Sequence, residues 1–371
     1  MHLSNKNFPP HLSGRLKNLE KNKKLERKMK KFQIITVLLS IVLLNYAFAQ
    51  FDNVGTSAAS FLKIPVDPRG SSLASAVVAN ANDPSAVYWN PAGLSQMKRT
   101  EVMFANTDWI ADLNVSFLGV GVPLGRWGAV GIGITYLSMG DMPITTWLDT
   151  EGASGQTFSA YDACFAVAYA RRLTDKFSIG VSVKYVMETI SHSTASAFAL
   201  DIGTLYDTGF RGLKIGMSFT NFGTKMRLEG RDLIIKVDPY PTAGSNPTDV
   251  IANLKTEEWS LPLTFQMGAT FNLIEGETFR FTLNADYRDE RDYRALGLFG
   301  GEFAFKEMFF IRFGGMKRYA VDERHGKFTL NAGAGLNLGI PGSSVRLKFD
   351  YSYSDLYRLK QAHRISLGVV L

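Results

Sequence analysis

Alternation of apolar and polar residues along 177–188 constrains the fold of this chain more than any other feature. The apolar residues fall at every second position from Phe177 to Met187. The positions between them hold serine, glycine, lysine and, at the end, glutamate, with Val186 as the exception. Because side chains alternate between the two faces of a β-strand, the stretch predicts a strand with one apolar and one polar face.

The same alternation recurs at 261–273, 279–288, 328–338, 345–353 and 363–371. In the first of these runs, every second residue from Leu261 to Leu273 is expected on the apolar face. Strands of soluble sandwiches are usually about 5–6 residues long, but a tilted strand needs about 10 residues to cross a bilayer. These runs have that length, and no helices are available to cover so many apolar faces. The pattern predicts an all-β fold, a transmembrane β-barrel.

The count of strands after residue 99 is predicted to be fourteen. Their approximate bounds are 100–107, 114–124, 128–137, 160–171, 176–188, 196–207, 211–220, 260–273, 278–288, 293–305, 308–315, 327–338, 344–353 and 362–371. Tight turns follow the even-numbered strands, and longer loops follow the odd ones, notably 138–159 and 221–259. Outer-membrane barrels have an even number of strands, short periplasmic turns and longer outer loops. We therefore expect a closed, antiparallel, 14-stranded barrel over 100–371, with both chain termini on the periplasmic side.

Most of the positive charge of the chain lies in its first 49 residues. They hold ten of the 41 Lys and Arg residues but two of the 34 acidic ones, which leaves 31 basic and 32 acidic residues beyond them. That balance gives no reason to expect nucleic acid as a partner. Residues 29–49 have the basic start, apolar centre and Ala-Phe-Ala end of a signal peptide, so export and a mature start at Gln50 are predicted. Residues 1–28 fit no part of a signal, and Met29 is the preferred start, with a genuine long n-region as the alternative.

Residues 50–99 do not alternate and are predicted to form an N-terminal plug of turns and short helices. A short helix is expected at 71–79, followed by the run 82–94 with two X-Pro steps. The aromatic residues of this run, Tyr88 and Trp89, need burial, which places the segment inside the barrel or across its periplasmic mouth. Small inward residues on two early strands indicate either kinks in the strands or room for the plug: Gly119, Gly121, Gly131 and Gly133.

Catalytic, metal and cofactor sites are not expected. His192 and His325 fall in predicted loops, His363 begins the last strand on its apolar face, and none belongs to a Ser/His/Asp pattern. The five His residues and one Cys have no metal-ligand spacing. Cys164 excludes an internal disulfide and is expected to be a small, buried, inward residue.

Charged side chains on the predicted inward faces could line a polar path or form cross-strand ion pairs that fill the lumen, and pairing is favoured. They are Lys184, Asp201, Lys214, Arg280, Asp286, Arg288, Arg346, Lys348 and Asp350.

The loop 221–259 is the best candidate for a functional surface, because it is too long and proline-rich for a simple connection. Its candidate partner-binding residues are Asp238, Tyr240, Glu257, Glu258 and Trp259. A disordered loop is the alternative. Trp109, Trp127 and Trp147, together with Trp259, lie near strand ends, where interfacial aromatic residues are expected.

The run 82–94 resembles the PorV/PorQ family of outer-membrane proteins, and the preceding segments 55–65 and 68–72 look like the start of the mature chain in that family. The run is also similar to the hatch of FadL-like barrels, whose Asn-Pro-Ala signature matches Asn90, Pro91 and Ala92. The residues of this hatch motif are Asn82, Asp83, Pro84, Tyr88, Trp89, Asn90, Pro91 and Gly93. The resemblance covers the chain from about residue 53, and its specific motifs lie within 55–94.

The resemblance implies that the protein is a non-catalytic component or adaptor of type IX secretion in the bacterial outer membrane. The lipid bilayer, a translocon subunit and secreted cargo domains would be its partners. A transporter of hydrophobic small molecules, of the FadL-like kind, is the alternative, and a purely structural barrel is a third. A transporter needs an apolar pocket near the outer mouth, whereas the predicted inward faces are polar and favour the adaptor.

Overall fold

The structure is a computed structural model that describes residues 55–238, 250–318, 328–356, 359 and 361–371. The barrel wall consists of β1 (Glu101–Asp108), β2 (Asn114–Pro123), β3 (Ala129–Ser138), β4 (Ala160–Arg172), β5 (Phe177–Ile190), β6 (Ser193–Asp207), β7 (Lys214–Gly223), β8 (Thr264–Glu275), β9 (Phe279–Glu290), β10 (Tyr293–Phe305), β11 (Phe309–Arg318), β12 (Phe328–Gly339), β13 (Arg346–Asp355) and β14 (Gln361–Val370). The predicted signal peptide 29–49, the extension 1–28 and the start at Gln50 lie outside the described residues and stay predictions.

Each wall strand pairs with its neighbours in the chain, and β1 closes the sheet by pairing antiparallel with β14. The closing register places Glu101 opposite Val370 and Asp108 opposite His363. The prediction of a closed 14-stranded antiparallel barrel is confirmed.

Long and short connections separate the two ends of the barrel, with two departures from the predicted pattern. The connections after β5 and β9 lie on the side of the long loops but are two-residue turns, 191–192 and 291–292. The first is short because β5 and β6 alternate beyond their predicted bounds and run for 14 and 15 residues. The second is short because β9 continues to Glu290. We call the side of the long loops 139–159 and 224–263 the loop end, and the opposite side the turn end.

The outward faces form an apolar belt around the barrel. Large exposed side chains on neighbouring strands include Phe104, Ile132, Val167, Val183 and Ile365. In water such a surface would drive aggregation, but against lipid tails it is the expected face of a membrane barrel. No helix among the described residues is long and apolar enough to cross a membrane.

The plug lies inside the barrel as short helical pieces. They are a 3-10 helix at Ser60–Lys63, α1 (Pro68–Ser72), α2 (Ala86–Trp89) and a second 3-10 helix at Pro91–Gln96. The predicted helix at 71–79 is wrong. The helix begins earlier because Asp67 accepts a hydrogen bond from the backbone N–H of Gly70 and Pro68 occupies the first turn. It ends at Ser72 because Ala74 and Ser75 adopt positive φ angles of 53° and 66°.

The plug runs from the loop end to the turn end of the barrel. At the loop end, the backbone N–H of Ala58 donates to the carbonyl of Ser260 at 3.0 Å, and at the turn end Leu371 donates to Thr100 at 2.9 Å. The C-terminus therefore lies at the turn end, as expected. The first described residues lie at the loop end, and the predicted start at Gln50 on the periplasmic side lies outside the described residues. Leu261, predicted to face lipid, is instead buried beside Phe61.

Two small hairpins extend the loops at the loop end. Met142–Pro143 pairs with Thr157–Phe158, and Ile234–Val237 pairs with Val250–Asn253. We call the second pair the loop hairpin. At its base, Glu229–Gly230 pairs with the first residues of β6. The described part of the long loop is therefore anchored to the wall.

Candidate functional site

The hatch motif is centred on Asn90, which is fully buried and joins three parts of the molecule. Its side-chain N–H donates to the carbonyls of Val78 at 2.7 Å and Thr204 at 3.1 Å. Its side-chain oxygen accepts from the backbone N–H of Ala92 at 3.1 Å, which caps the following 3-10 helix. An Asn-Pro pair is suited to this position, because asparagine supplies the cap and Pro91 supplies the fixed φ of the first turn.

Trp89 and Tyr88 join two parts of the plug through hydrogen bonds. The indole N–H of Trp89 donates to the carboxylate of Asp67 at 2.6 Å, and the ring is 4% exposed. The Tyr88 hydroxyl lies 2.9 Å from the carbonyl of Leu62 and 3.0 Å from that of Ile64. The two rings meet edge to face with centroids 4.7 Å apart. Both aromatic residues therefore bind the loop-end part of the plug to its turn-end part.

Asp83 orders the start of the motif. One of its oxygens accepts from the backbone N–H of Ser85 at 2.9 Å, and the other lies 3.0 Å from the Arg69 guanidinium. Arg69 also donates to Asn82 at 2.6 Å. The two remaining residues of the motif mark close contacts, because Pro84 lies against Gly119, and a Cβ on Gly93 would overlap the carbonyl of Ala81.

The carboxyl groups of the plug have opposite pKa shifts. Burial, and next the nearby charge of Asp83, raise the pKa of Asp67 to about 6. Burial also acts to raise the pKa of Asp83, but the charge of Arg69 outweighs it, and the pKa of Asp83 is held below its ordinary value.

Charged residues on the inner wall form cross-strand ion pairs, as favoured from the sequence. Glu302 is the centre of the largest group and lies 2.7 Å from Arg312, 3.0 Å from Arg280 and 3.4 Å from Arg69 of the plug. Arg312 also pairs with Asp350. The plug is therefore joined to the wall by a buried ionic network as well as by packing.

The other predicted inward charges also have partners. Two form ion pairs: Lys184 with Asp201 at 2.6 Å and Lys348 with Glu101 at 2.7 Å. Two form hydrogen bonds with the plug: Lys214 donates to Gln96 at 3.3 Å, and Asp286 accepts from the backbone N–H of Val78 at 3.0 Å. Two form hydrogen bonds with wall residues: Arg288 donates to Gln266 at 3.0 Å, and Arg346 donates to Asn337 at 2.9 Å. Three further inward charged residues, Arg312, Glu101 and Arg364, were not identified from the sequence. Each of them shares the alternating face of its strand with small or polar residues, and this pattern would have shown that they face inward.

A cavity of about 190 Å³ lies between the plug and the strands around Glu302. Its lining includes the side chains of Arg69, Asp83, Arg312 and Lys348. Such a charged lining does not suit a hydrophobic ligand.

The five loop residues chosen from the sequence do not form one cluster. Trp259 exchanges two backbone hydrogen bonds with Met226, at 2.8 and 2.9 Å, and Glu258 pairs with Arg227. Glu257 is exposed beside them, Asp238 follows the first strand of the loop hairpin, and Tyr240 lies outside the described residues. Glu258 and Trp259 therefore brace the base of the loop.

Among the residues that the structure describes, the most exposed large apolar side chains lie on loops at the loop end. Trp147 is 86% exposed, Leu148 77% and Ile251 of the loop hairpin 71%. Trp147 was interpreted as an interfacial residue, but it lies in the middle of the loop after β3. Trp109 also differs from that interpretation, because it packs against the buried cluster at the loop end of the lumen.

Several solved structures are similar to this chain. The "CymD monoaromatic hydrocarbon channel" superposes with a TM-score of 0.51 at 11% identity, over 82% of this chain and 96% of that one. The toluene transporter TbuX of Ralstonia pickettii gives 0.48 at 12% identity (82% and 97% covered), and a FadL homologue of Pseudomonas aeruginosa gives 0.47 at 12% (82% and 98% covered). No curated protein matches the sequence. The first likeness shows the outer-membrane barrel fold.

The family is shown by the sequence itself. A family model described as "Type IX secretion system protein PorV" matches residues 48–233, half of the chain. The match includes the described plug, with its hatch motif, and all strands from β1 to β7. The chain belongs to the PorV family of type IX secretion system proteins.

Proposed function

We propose that this barrel is a non-catalytic adaptor of type IX secretion that binds a translocon subunit and secreted cargo through its loop end. The observation that carries the proposal is the exposure of Trp147, Leu148 and Ile251, large apolar side chains on loops beyond the membrane belt. Exposed apolar groups of this size on an ordered support are typical of protein-binding surfaces. The adaptor needs neither a catalytic step nor a cofactor, and it faces the outside of the outer membrane after export by the predicted signal peptide.

The state of the lumen supports an adaptor over a transporter of hydrophobic compounds. The plug is held along its length by Asn90, Trp89 and the Glu302 ion pairs. The cavity beside it is lined by charged groups. A transporter for apolar compounds requires an apolar pocket that leads to the membrane or the periplasm.

Deletion of 236–256 tests the proposal. The deletion removes most of the loop hairpin but leaves every wall strand intact, so the barrel is expected to fold and to keep its heat-modifiable migration on gels. Secretion of type IX cargo should be lost. The matched control is Trp127→Ala, which removes a large exposed side chain at the turn end and should leave secretion unchanged.

Point variants test whether the exposed apolar side chains themselves bind the partner, because they leave the length of the loops unchanged. Trp147→Ala combined with Ile251→Asp should reduce recovery of the translocon subunit in a pulldown from outer membranes. Normal secretion in the deletion strain, together with loss of uptake of a hydrophobic compound, would overturn the adaptor proposal in favour of transport.

A further inference from the structure

Arg364 is a buried arginine on the inner face of β14, beside the seam where β14 meets β1. It is 1% exposed. Its guanidinium donates to the Ser354 hydroxyl at 2.9 Å and to the carbonyl of Pro65 of the plug at 3.4 Å. The Trp109 ring lies over it, with 5.3 Å from Cζ to the ring centroid. Within the part of the chain that the structure describes, these two acceptors leave several of the five N–H donors of the guanidinium without an acceptor.

Arg364 differs from the other buried cations of the lumen in its charge balance. Lys184 and Arg312 each contact a carboxylate. Within the described residues, no carboxylate lies at ion-pair distance from Arg364. Asp67 acts on it from farther away, but its two oxygens already accept from Trp89 and from the backbone of Gly70.

Two hydroxyl groups flank Arg364 on the neighbouring strands. Thr107 of β1 and Ser352 of β13 are its directly opposed partners in the sheet register. Their side chains therefore point inward at the same level as that of Arg364, and the Cβ atoms of directly opposed residues are about 4.5–5.5 Å apart. Both residues are at most 1% exposed, and neither hydroxyl oxygen has a hydrogen-bond partner.

It is unfavourable to bury a cation without a contacting anion or a hydroxyl without a hydrogen-bond partner. Here one such cation and two such hydroxyls lie side by side on three adjacent strands. All three can donate hydrogen bonds, so a single acceptor of negative charge would satisfy them together. A carbonyl such as that of Pro65 supplies no formal charge. An anion would supply the opposite charge that a further carbonyl or hydroxyl dipole does not.

We propose that Arg364, Thr107 and Ser352 bind one monovalent anion of halide size. The anion would link three strands at the closing seam and fix the position of Pro65, at the loop end of the plug. This site is independent of the proposed docking function, because none of its residues lies in the loops assigned to partner binding.

Bromide binding to the purified barrel tests the site. At constant sodium concentration, replacement of gluconate by bromide should raise the unfolding temperature of the wild type in a saturable manner. Arg364→Gln should abolish this dependence, and Arg126→Gln, which changes an exposed arginine of a turn, should keep it. An equal bromide response in Arg364→Gln, or no saturable response in the wild type, would overturn the proposal.

A second measurement keeps the test decisive if Arg364→Gln does not fold. The double variant Thr107→Val, Ser352→Ala removes both hydroxyls with little change in volume and should need at least about tenfold more bromide for half saturation, given two lost hydrogen bonds to a charged group. Crystals of the wild type soaked in bromide should show an anomalous peak at the guanidinium. Unchanged half saturation in the double variant, or a peak elsewhere only, contradicts the site.

Discussion

At the scale of single residues, the hydrogen bond from the Trp89 indole to Asp67 joins two helices of the plug. Asp67 caps α1 and also accepts the indole N–H of Trp89, while Gly70 lies under the Trp89 ring. The carboxylate therefore holds the start of one helix and the end of the next. A bulky ring fits at this position because residue 70 has no side chain.

The raised pKa of Asp67 predicts a pH dependence of stability. Because the folded state binds this proton more tightly than the unfolded chain does, the free energy of unfolding should fall as pH rises from about 4 through about 6. The shift from 3.8 to about 6 corresponds to about 3 kcal/mol at most. Asp67→Asn keeps an acceptor but cannot ionise. The difference in unfolding temperature between wild type and variant should therefore change between pH 4.5 and pH 7, and a constant difference would contradict the assignment.

Truncation of Trp89 should loosen the plug. Trp89→Ala removes a ring that is almost fully buried and is expected to cost about 3–5 kcal/mol. Trp89→Phe keeps most of the ring but leaves Asp67 without its indole donor, so a smaller loss of about 1–3 kcal/mol is expected. Heat-modifiability gels measure both changes, and Trp127→Ala at an exposed turn is the control. An unchanged transition in Trp89→Ala would mean that the plug does not stabilise the barrel.

At the scale of elements, small inward residues on the strands determine where the plug can pass. A Cβ added at Gly180 would overlap the backbone of Pro91, one at Gly203 would overlap the Asn90 side chain, and one at Gly131 would overlap Val87. Further glycines repeat this on the opposite wall, where Gly300 and Gly314 face Leu73. The plug is therefore fitted to a track of glycines on several strands.

The glycine track predicts that a single methyl group can displace the plug. Gly203→Ala should lower the unfolding temperature, because overpacking of this kind costs about 1–3 kcal/mol and the displaced Asn90 would lose its bond to Thr204. Gly339→Ala on β12 is the matched control, since a Cβ there meets no atom within 4 Å. Equal stability of the two variants would show that the plug can shift without cost.

The wall was more predictable from the sequence than the plug. Lipid outside and a packed lumen inside impose a period of two on every strand, so the alternation along β5 identified both faces correctly. The course of the plug depends on contacts such as Arg69 with Glu302, 233 residues apart, which no local pattern encodes. The helix bounds near Ser72 were missed because two left-handed residues after it are an alanine and a serine, not glycines.

The candidate loop site was only partly predictable for a different reason. Trp259 and Glu258 were identified by residue type, yet their backbone and ion-pair contacts place them at the base of the loop. An apolar residue in a loop, such as Ile251, is equally compatible with burial and with exposure until the hairpin is known. The exposure that supports docking therefore became visible only in three dimensions.

At the scale of the whole molecule, the barrel combines a closed wall with a plug held by charge. Arg69 is the link between the two, because it contacts Asp83 of the plug and Glu302 of the wall. Cross-strand pairs such as Lys348 with Glu101 balance further charges near the turn end. Loops extend this rigid body at one end, which is the arrangement expected of a fixed support for partner binding.

This arrangement predicts that the barrel does not conduct ions as a porin does. Reconstituted in planar bilayers, the wild type should show no steady ohmic conductance. Arg69→Glu places a third carboxylate beside Asp83 and Glu302, which breaks both ion pairs and adds repulsion, so the plug should open transiently and produce flickering conductance. Arg126→Glu makes the same change of charge on an exposed turn and should stay silent. Steady conductance in the wild type would contradict a filled lumen, and silence of Arg69→Glu would mean that packing at Asn90 and Trp89 holds the plug without the ionic link.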